Sequence, residues 1–109
     1  GKTVTFLSDV EYPAPDQPTA EAVALARGAD LLIHDAMCGS EEYELRRGWG
    51  HSPVAAAVHV ARAAGVRQLA LFHHSPDATD DMIDVQVAEA QRQLDIPVVG
   101  AAEGAYREL

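Results

Sequence analysis

At 109 residues the chain is the size of one domain, and a chain this short leaves roughly a third of its unfolded surface exposed, so a single modest core is the ceiling. Seventeen acidic against eight basic residues give a formal charge of −9, which argues against a nucleic-acid-binding surface but not against a small anionic substrate, since bound cations invert the local field of the carboxylates that hold them. The one cysteine, Cys38, excludes an internal disulfide, and no apolar run approaches the roughly 20 residues that span a membrane, so a reducing, cytoplasmic setting is expected.

The chain opens on Gly1 rather than Met, and Thr3-Val4-Thr5-Phe6-Leu7 already reads as a strand. A piece of a longer protein is therefore expected. Asp9 follows the strand, and then the Pro-rich loop Tyr12-Pro13-Ala14-Pro15. Thr19 can cap a helix running to Arg27, and Gly28 supplies a left-handed stop before the short buried strand Leu31-Leu32-Ile33. His34 and Asp35 stand at that strand's end. From about 41 to 47, Glu41 and Glu42 at the start and Arg46 and Arg47 at the finish suit the dipole of a short helix.

After a loop with Trp49, Gly50 and His51, Ser52 as N-cap and Pro53 at the first helical position open the clearest helix, which runs to Ala64 and stops at Gly65. Val54, Val58 and Ala61 share one of its faces. Leu69 to Phe72 make a strand that delivers His73 and His74 to its end, before the turn Ser75-Pro76-Asp77. Thr79 can cap a last helix with Asp80 and Asp81 in its first turn and a buried stripe of Ile83, Val87, Ala90 and Leu94. Pro97 to Ala101 and Ala105 to Leu109 read as short closing strands. This alternation predicts an α/β layer structure, with no internal repeat and no second domain.

Three strand ends carry unusual polar groups: Asp9, the His34-Asp35 pair, and His73-His74. Ligands gather at the carboxyl ends of strands in open α/β sheets, and carboxylate with imidazole suits zinc, manganese or iron. Taken alone, an Asp after a strand is an ordinary turn former; it is the coincidence of three such ends that suggests a site. His51, just before the N-terminus of the clearest helix, sits where the dipole disfavours an imidazolium and favours anions, which suits a proton donor beside a phosphate. Its bland alternative is a residue that tops the helix and bonds to a neighbouring loop. His59 falls on the polar face of that helix, a solvated surface residue left out of the site. Cys38, without a second cysteine at ligand spacing, is expected to be structural. Trp49 and Tyr43 could line a pocket or simply pack their loop.

In order and spacing, Leu7-Ser8-Asp9-Val10-Glu11-Tyr12, Ala29-Asp30-Leu31-Leu32-Ile33-His34-Asp35-Ala36, Gly48-Trp49-Gly50-His51-Ser52 and Leu69-Ala70-Leu71-Phe72-His73-His74-Ser75-Pro76 resemble the second half of metallo-β-lactamase-fold hydrolases, on their phosphodiesterase and ribonuclease Z side. The resemblance implies one half, residues 1–109, of a four-layer αββα sandwich. The other half, with the H-x-H-x-D-H motif and a further metal-ligand histidine, would be the partner of this chain. It implies that Asp9 bridges two metal ions and that His73 is the last ligand histidine, with His34 and His74 as neighbouring or pocket residues. The two divalent ions would be zinc first, manganese or iron next.

The string His34-Asp35-Ala36-Met37 resembles the His-Glu-Ala-Thr loop of ribonuclease Z, and His51-Ser52 its His-Ser-Thr loop. By that likeness Asp35 orients His51, and His51 protonates the leaving group while a hydroxide held between the two metals attacks. This chain alone would be inactive. Asp35 stands where Glu is usual, and Asp77-Ala78 stand where ribonuclease Z enzymes continue with Arg and an aromatic residue. With the charge of −9, these departures point away from tRNA and toward a smaller phosphodiester. The alternatives are a free-standing, non-catalytic α/β binding module and, third, an iron and flavin redox variant of the fold. An exposed sheet face is expected to pair with the missing half or to form a homodimer.

Overall fold

Parallel strands need crossover connections, and in this chain each pair of successive strands is joined through a segment long enough to hold a helix. A computed structural model describes residues 2–7, 11–14, 16–36, 48, 52–72 and 80–101, without the side chains of Asp80 and Ala101. Strand β1 (Val4–Leu7), helix α1 (Ala20–Ala26), strand β2 (Leu31–Asp35), helix α2 (Val54–Ala64), strand β3 (Leu69–Phe72), helix α3 (Asp80–Gln91) and strand β4 (Val98–Ala101) follow one another. The strands form one parallel sheet in the order β1-β2-β3-β4, the α/β architecture expected. The proposed helix at 41–47 and the strand at 105–109 lie outside the described residues.

A sheet whose order follows the chain, with right-handed crossovers, places its helices on one face. Here α2 packs against both α1 and α3 and lies on β2 and β3, while α1 meets β1 and α3 meets β4. Alternation along the strands sends Leu32, His34, Leu69 and Leu71 toward this layer, and all four are fully buried. At Gly100 the backbone of β4 approaches α3 so closely that a Cβ there would lie 2.8 Å from Ile83 Cγ2. The absent side chain is what lets α3 settle on the sheet edge.

Local signals set the helix ends. The Thr19 hydroxyl accepts the Ala22 amide at 3.2 Å, a cap of about 1 kcal/mol. At Gly65 (φ 67°) the amide reaches Ala61 and Arg62 carbonyls and the Val66 amide returns to Ala61, a paired closure that needs the left-handed backbone glycine tolerates. The start of α2 differs from expectation. Pro53, at φ −77° and ψ 167°, is the extended residue before the helix rather than its first turn, and no side chain caps it; Ser52 is buried instead. Its central place between α1 and α3 buries α2 on most sides, so that even His59 is half-buried rather than fully solvated.

Candidate active site

The register brings the carboxyl ends of three strands level. Leu7 of β1 pairs with His34, His34 with Leu71, and Asp35 with Phe72. In sequence, Asp9 stands two residues beyond the end of β1, and His73-His74 directly follow β3. Asp9, His51, His73 and His74 themselves lie outside the described residues, as do Met37, Cys38, Tyr43 and Trp49.

His34 and Asp35 are within the described chain, and they extend β2 by two residues past its expected end at Ile33. The neighbours supply the reason: β1 and β3 flank β2 there and keep its backbone hydrogen bonds paired. As strand neighbours the two side chains point to opposite faces. His34 faces the helices, Asp35 the other side, and both are fully buried.

The surroundings of His34 define its protonation. Its Nδ1 lies 2.8 Å from the Asp35 carbonyl oxygen, which can only accept, so Nδ1 carries the proton. Nε2 then accepts from the Tyr12 hydroxyl, also at 2.8 Å. Burial holds the imidazole pKa below its ordinary value, against the opposing pull of the Asp35 carbonyl and charge. Burial, and behind it the charge of Asp35, pushes the Tyr12 hydroxyl far above the usual tyrosine range. The pair is thus a neutral hydrogen bond, and neither ring nitrogen of His34 has a lone pair left for a cation.

The sequence offered little warning of two further residues. Tyr12 is almost wholly buried against His34, their rings tilted at 51°, and the Glu11 carboxylate accepts the Gly48 amide at 3.1 and 2.8 Å. Both contacts join segments far apart in the chain, so spacing carries no trace of them; a lone hydroxyl-bearing aromatic beside Pro13 was the one hint. Among the described residues no three histidine, cysteine or carboxylate side chains gather to hold a metal ion. The metal donors expected from the sequence, Asp9 and His73, lie outside the described residues.

Comparison with known proteins bears on this arrangement. A family model described as a beta-lactamase superfamily domain matches residues 1–74. Ribonuclease Z of Brevibacillus brevis (strain 47) is 36% identical over 96 residues, covering 84% of this chain and 28% of that protein. Ribonuclease Z of Lactococcus lactis subsp. cremoris (strain SK11) is 40% identical over 91 residues, with the same coverage. The chain therefore spans 28% of the length of these relatives. Among solved structures, the metallo-beta-lactamase fold protein YhfI from Bacillus subtilis superposes with a TM-score of 0.71 at 23% identity, over 95% of this chain and 39% of that one.

Proposed function

The chain belongs to the beta-lactamase superfamily, with the metallo-β-lactamase fold and ribonuclease Z-like relatives, and on that premise we propose that it forms the C-terminal half of a metal-dependent phosphodiester hydrolase. The observation that carries the proposal is the level rim of β1, β2 and β3, where Leu7, His34 and Leu71 share one register. Each of those strands ends in, or leads within two residues to, a carboxylate or imidazole.

The family implies divalent metal ions, zinc first, and the donor set of this chain suits them: the Asp9 carboxylate and the His73 imidazole would help to hold them. When bound, such ions supply Lewis acidity, polarising the phosphoryl group and making water nucleophilic at neutral pH. The chain's own residues do the rest. His51, ahead of α2, donates a proton to the leaving oxygen; Asp35, buried at the end of β2, orients it. His34 keeps its single proton on Nδ1 and serves the site by holding Tyr12, and His74 lines the pocket.

The other half of the fold would lie on the sheet face opposite the helices, where Val4 and Phe6 are each 52% exposed. Residues 1–109 alone would be inactive, because Asp9 and His73 do not make a two-metal centre. The net charge of −9 is only a weak argument against nucleic acid. It described this portion alone, and relatives named as ribonucleases support RNA as a phosphodiester substrate alongside smaller ones. Among the described residues no helix is long and apolar enough to cross a membrane.

The test is elemental analysis of the longest natural form of the protein together with hydrolysis of bis(p-nitrophenyl) phosphate. Two metal ions per chain, with metal and turnover largely lost in Asp9→Ala, is the expected result. An Asp9→Ala variant that keeps both would overturn the assignment of Asp9, and a metal-free natural protein would favour a non-catalytic binding module.

A further inference from the structure

Glu11 and Tyr12 are consecutive, yet their side chains tie the segment after β1 to two distant parts of the chain. The Tyr12 hydroxyl donates to His34, 22 positions on, inside the core. The Glu11 carboxylate receives the Gly48 amide on both of its oxygens, 37 positions on, near the surface. Gly48 adopts φ 92°, a backbone conformation that glycine enters freely and therefore does not hold by itself. Gly50 follows two residues later and His51 three. Gly48 is the last described residue before His51 in the chain, and the Glu11 carboxylate is what holds its amide.

We infer that Glu11 is a positioning residue for the segment entered at Gly48. Its carboxylate captures the Gly48 amide from a platform that the Tyr12–His34 hydrogen bond anchors to β2. An N–H bond to a carboxylate is stronger than one between neutral groups, and Glu11 offers both of its oxygens to this one amide. The Tyr12 side chain brings to that platform a rigid ring with one hydroxyl and one buried acceptor. This inference rests on the reading of His51 as the proton donor. Glu11 neither touches substrate nor binds metal in it and acts only through the backbone it holds.

The experiment uses the full-length natural protein with its metal bound. It compares wild type with Glu11→Ala, Glu11→Gln and His51→Ala on two phosphodiesters, one releasing p-nitrophenolate and one releasing an alkoxide. A nitrophenolate leaves without a proton, whereas an alkoxide needs one, so misplacing the donor hurts only the second. Glu11→Ala is expected to lower kcat on the alkyl ester by about 10- to 100-fold and on the nitrophenyl ester by less than about threefold, at unchanged metal content. It should also accelerate hydrogen exchange at the Gly48 amide. Glu11→Gln, which keeps one acceptor oxygen, should restore most of both.

Equal losses on the two esters, or unchanged exchange at Gly48, would overturn the inference. Selectivity lost in His51→Ala but kept in Glu11→Ala would overturn it while leaving the proposed function standing. If His51→Ala treats both esters alike, the proton-donor reading itself falls, and the inference with it.

Discussion

The two faces of the sheet are made from alternating residues of the same four strands, yet they meet very different surroundings. On the helix side Leu32, Leu69 and Leu71 are fully buried under α2 and its neighbours. On the other side Val4 and Phe6 are half exposed, while Ile33, Phe72 and Val99 are only partly covered. There the rings of Phe6 and Phe72 meet edge to face across β2, 5.4 Å apart, an arrangement that recovers some burial but leaves an apolar surface. Parallel sheets are ordinarily covered on both faces. The helix side is buried throughout its centre; the other is uneven, with Leu31, Asp35 and Ala70 buried at its middle and Val4 and Phe6 left half exposed on β1.

The largest expected effect lies on the helix side. Leu71→Ala should cost about 2–5 kcal/mol, the loss of a fully buried side chain plus the cavity it leaves, read as a lower urea midpoint. A loss below about 1 kcal/mol would mean that this face is far less tightly packed than its burial indicates.

A smaller effect is expected at the rim between the faces. Tyr12→Phe leaves Nε2 of His34 buried without its donor and should cost about 1–3 kcal/mol. The same site gives a pH dependence. Because His34 is held neutral below its ordinary pKa of 6.5, the unfolded chain takes up a proton first as pH falls. Its contribution is therefore complete above pH 6.5 and declines below it, by up to about 1.4 kcal/mol per pH unit, until the lower pKa of the folded state is reached. Urea titrations at several pH values between neutrality and pH 5 would reveal this slope; its absence in that interval would contradict a buried neutral His34.

The smallest effect belongs to the open face, and it is also the most discriminating. In residues 1–109, Phe6→Ser should change stability by no more than about 1 kcal/mol, since the ring is half exposed. In the full-length protein the same substitution should cost distinctly more, because the ring would then be covered. Equal costs in the two would erase the contrast between the faces as an indication of a missing layer.

Much of the fold was readable residue by residue. Thr19 as a cap, Gly65 as a stop and the apolar run Leu69 to Phe72 each act within one turn or one strand, so local chemistry identifies them. Pro53 was misplaced by one residue because its fixed φ suits both the position before a helix and the first turn inside it. The apolar run stops at Ile33, so the sequence ends the strand there, whereas pairing with β1 and β3 carries β2 through His34 and Asp35. Gly100 read as an ordinary strand residue, and its role as the place where α3 touches the sheet has no local signature. Net charge is a weak guide to nucleic acid here, because a total over the chain says little of the local field at any one site.

The order of elements and the helix ends follow from interactions among residues a few positions apart, and these, like the carboxylates and imidazoles near strand ends, are written along the chain. The burial of His34 as a neutral base for Tyr12, the hold of Glu11 on Gly48 and the contrast between the two sheet faces depend on the lateral register of β1, β2 and β3. That register is set by packing between segments 20 to 40 positions apart, where many pairings share the same local pattern and only the assembled core selects among them.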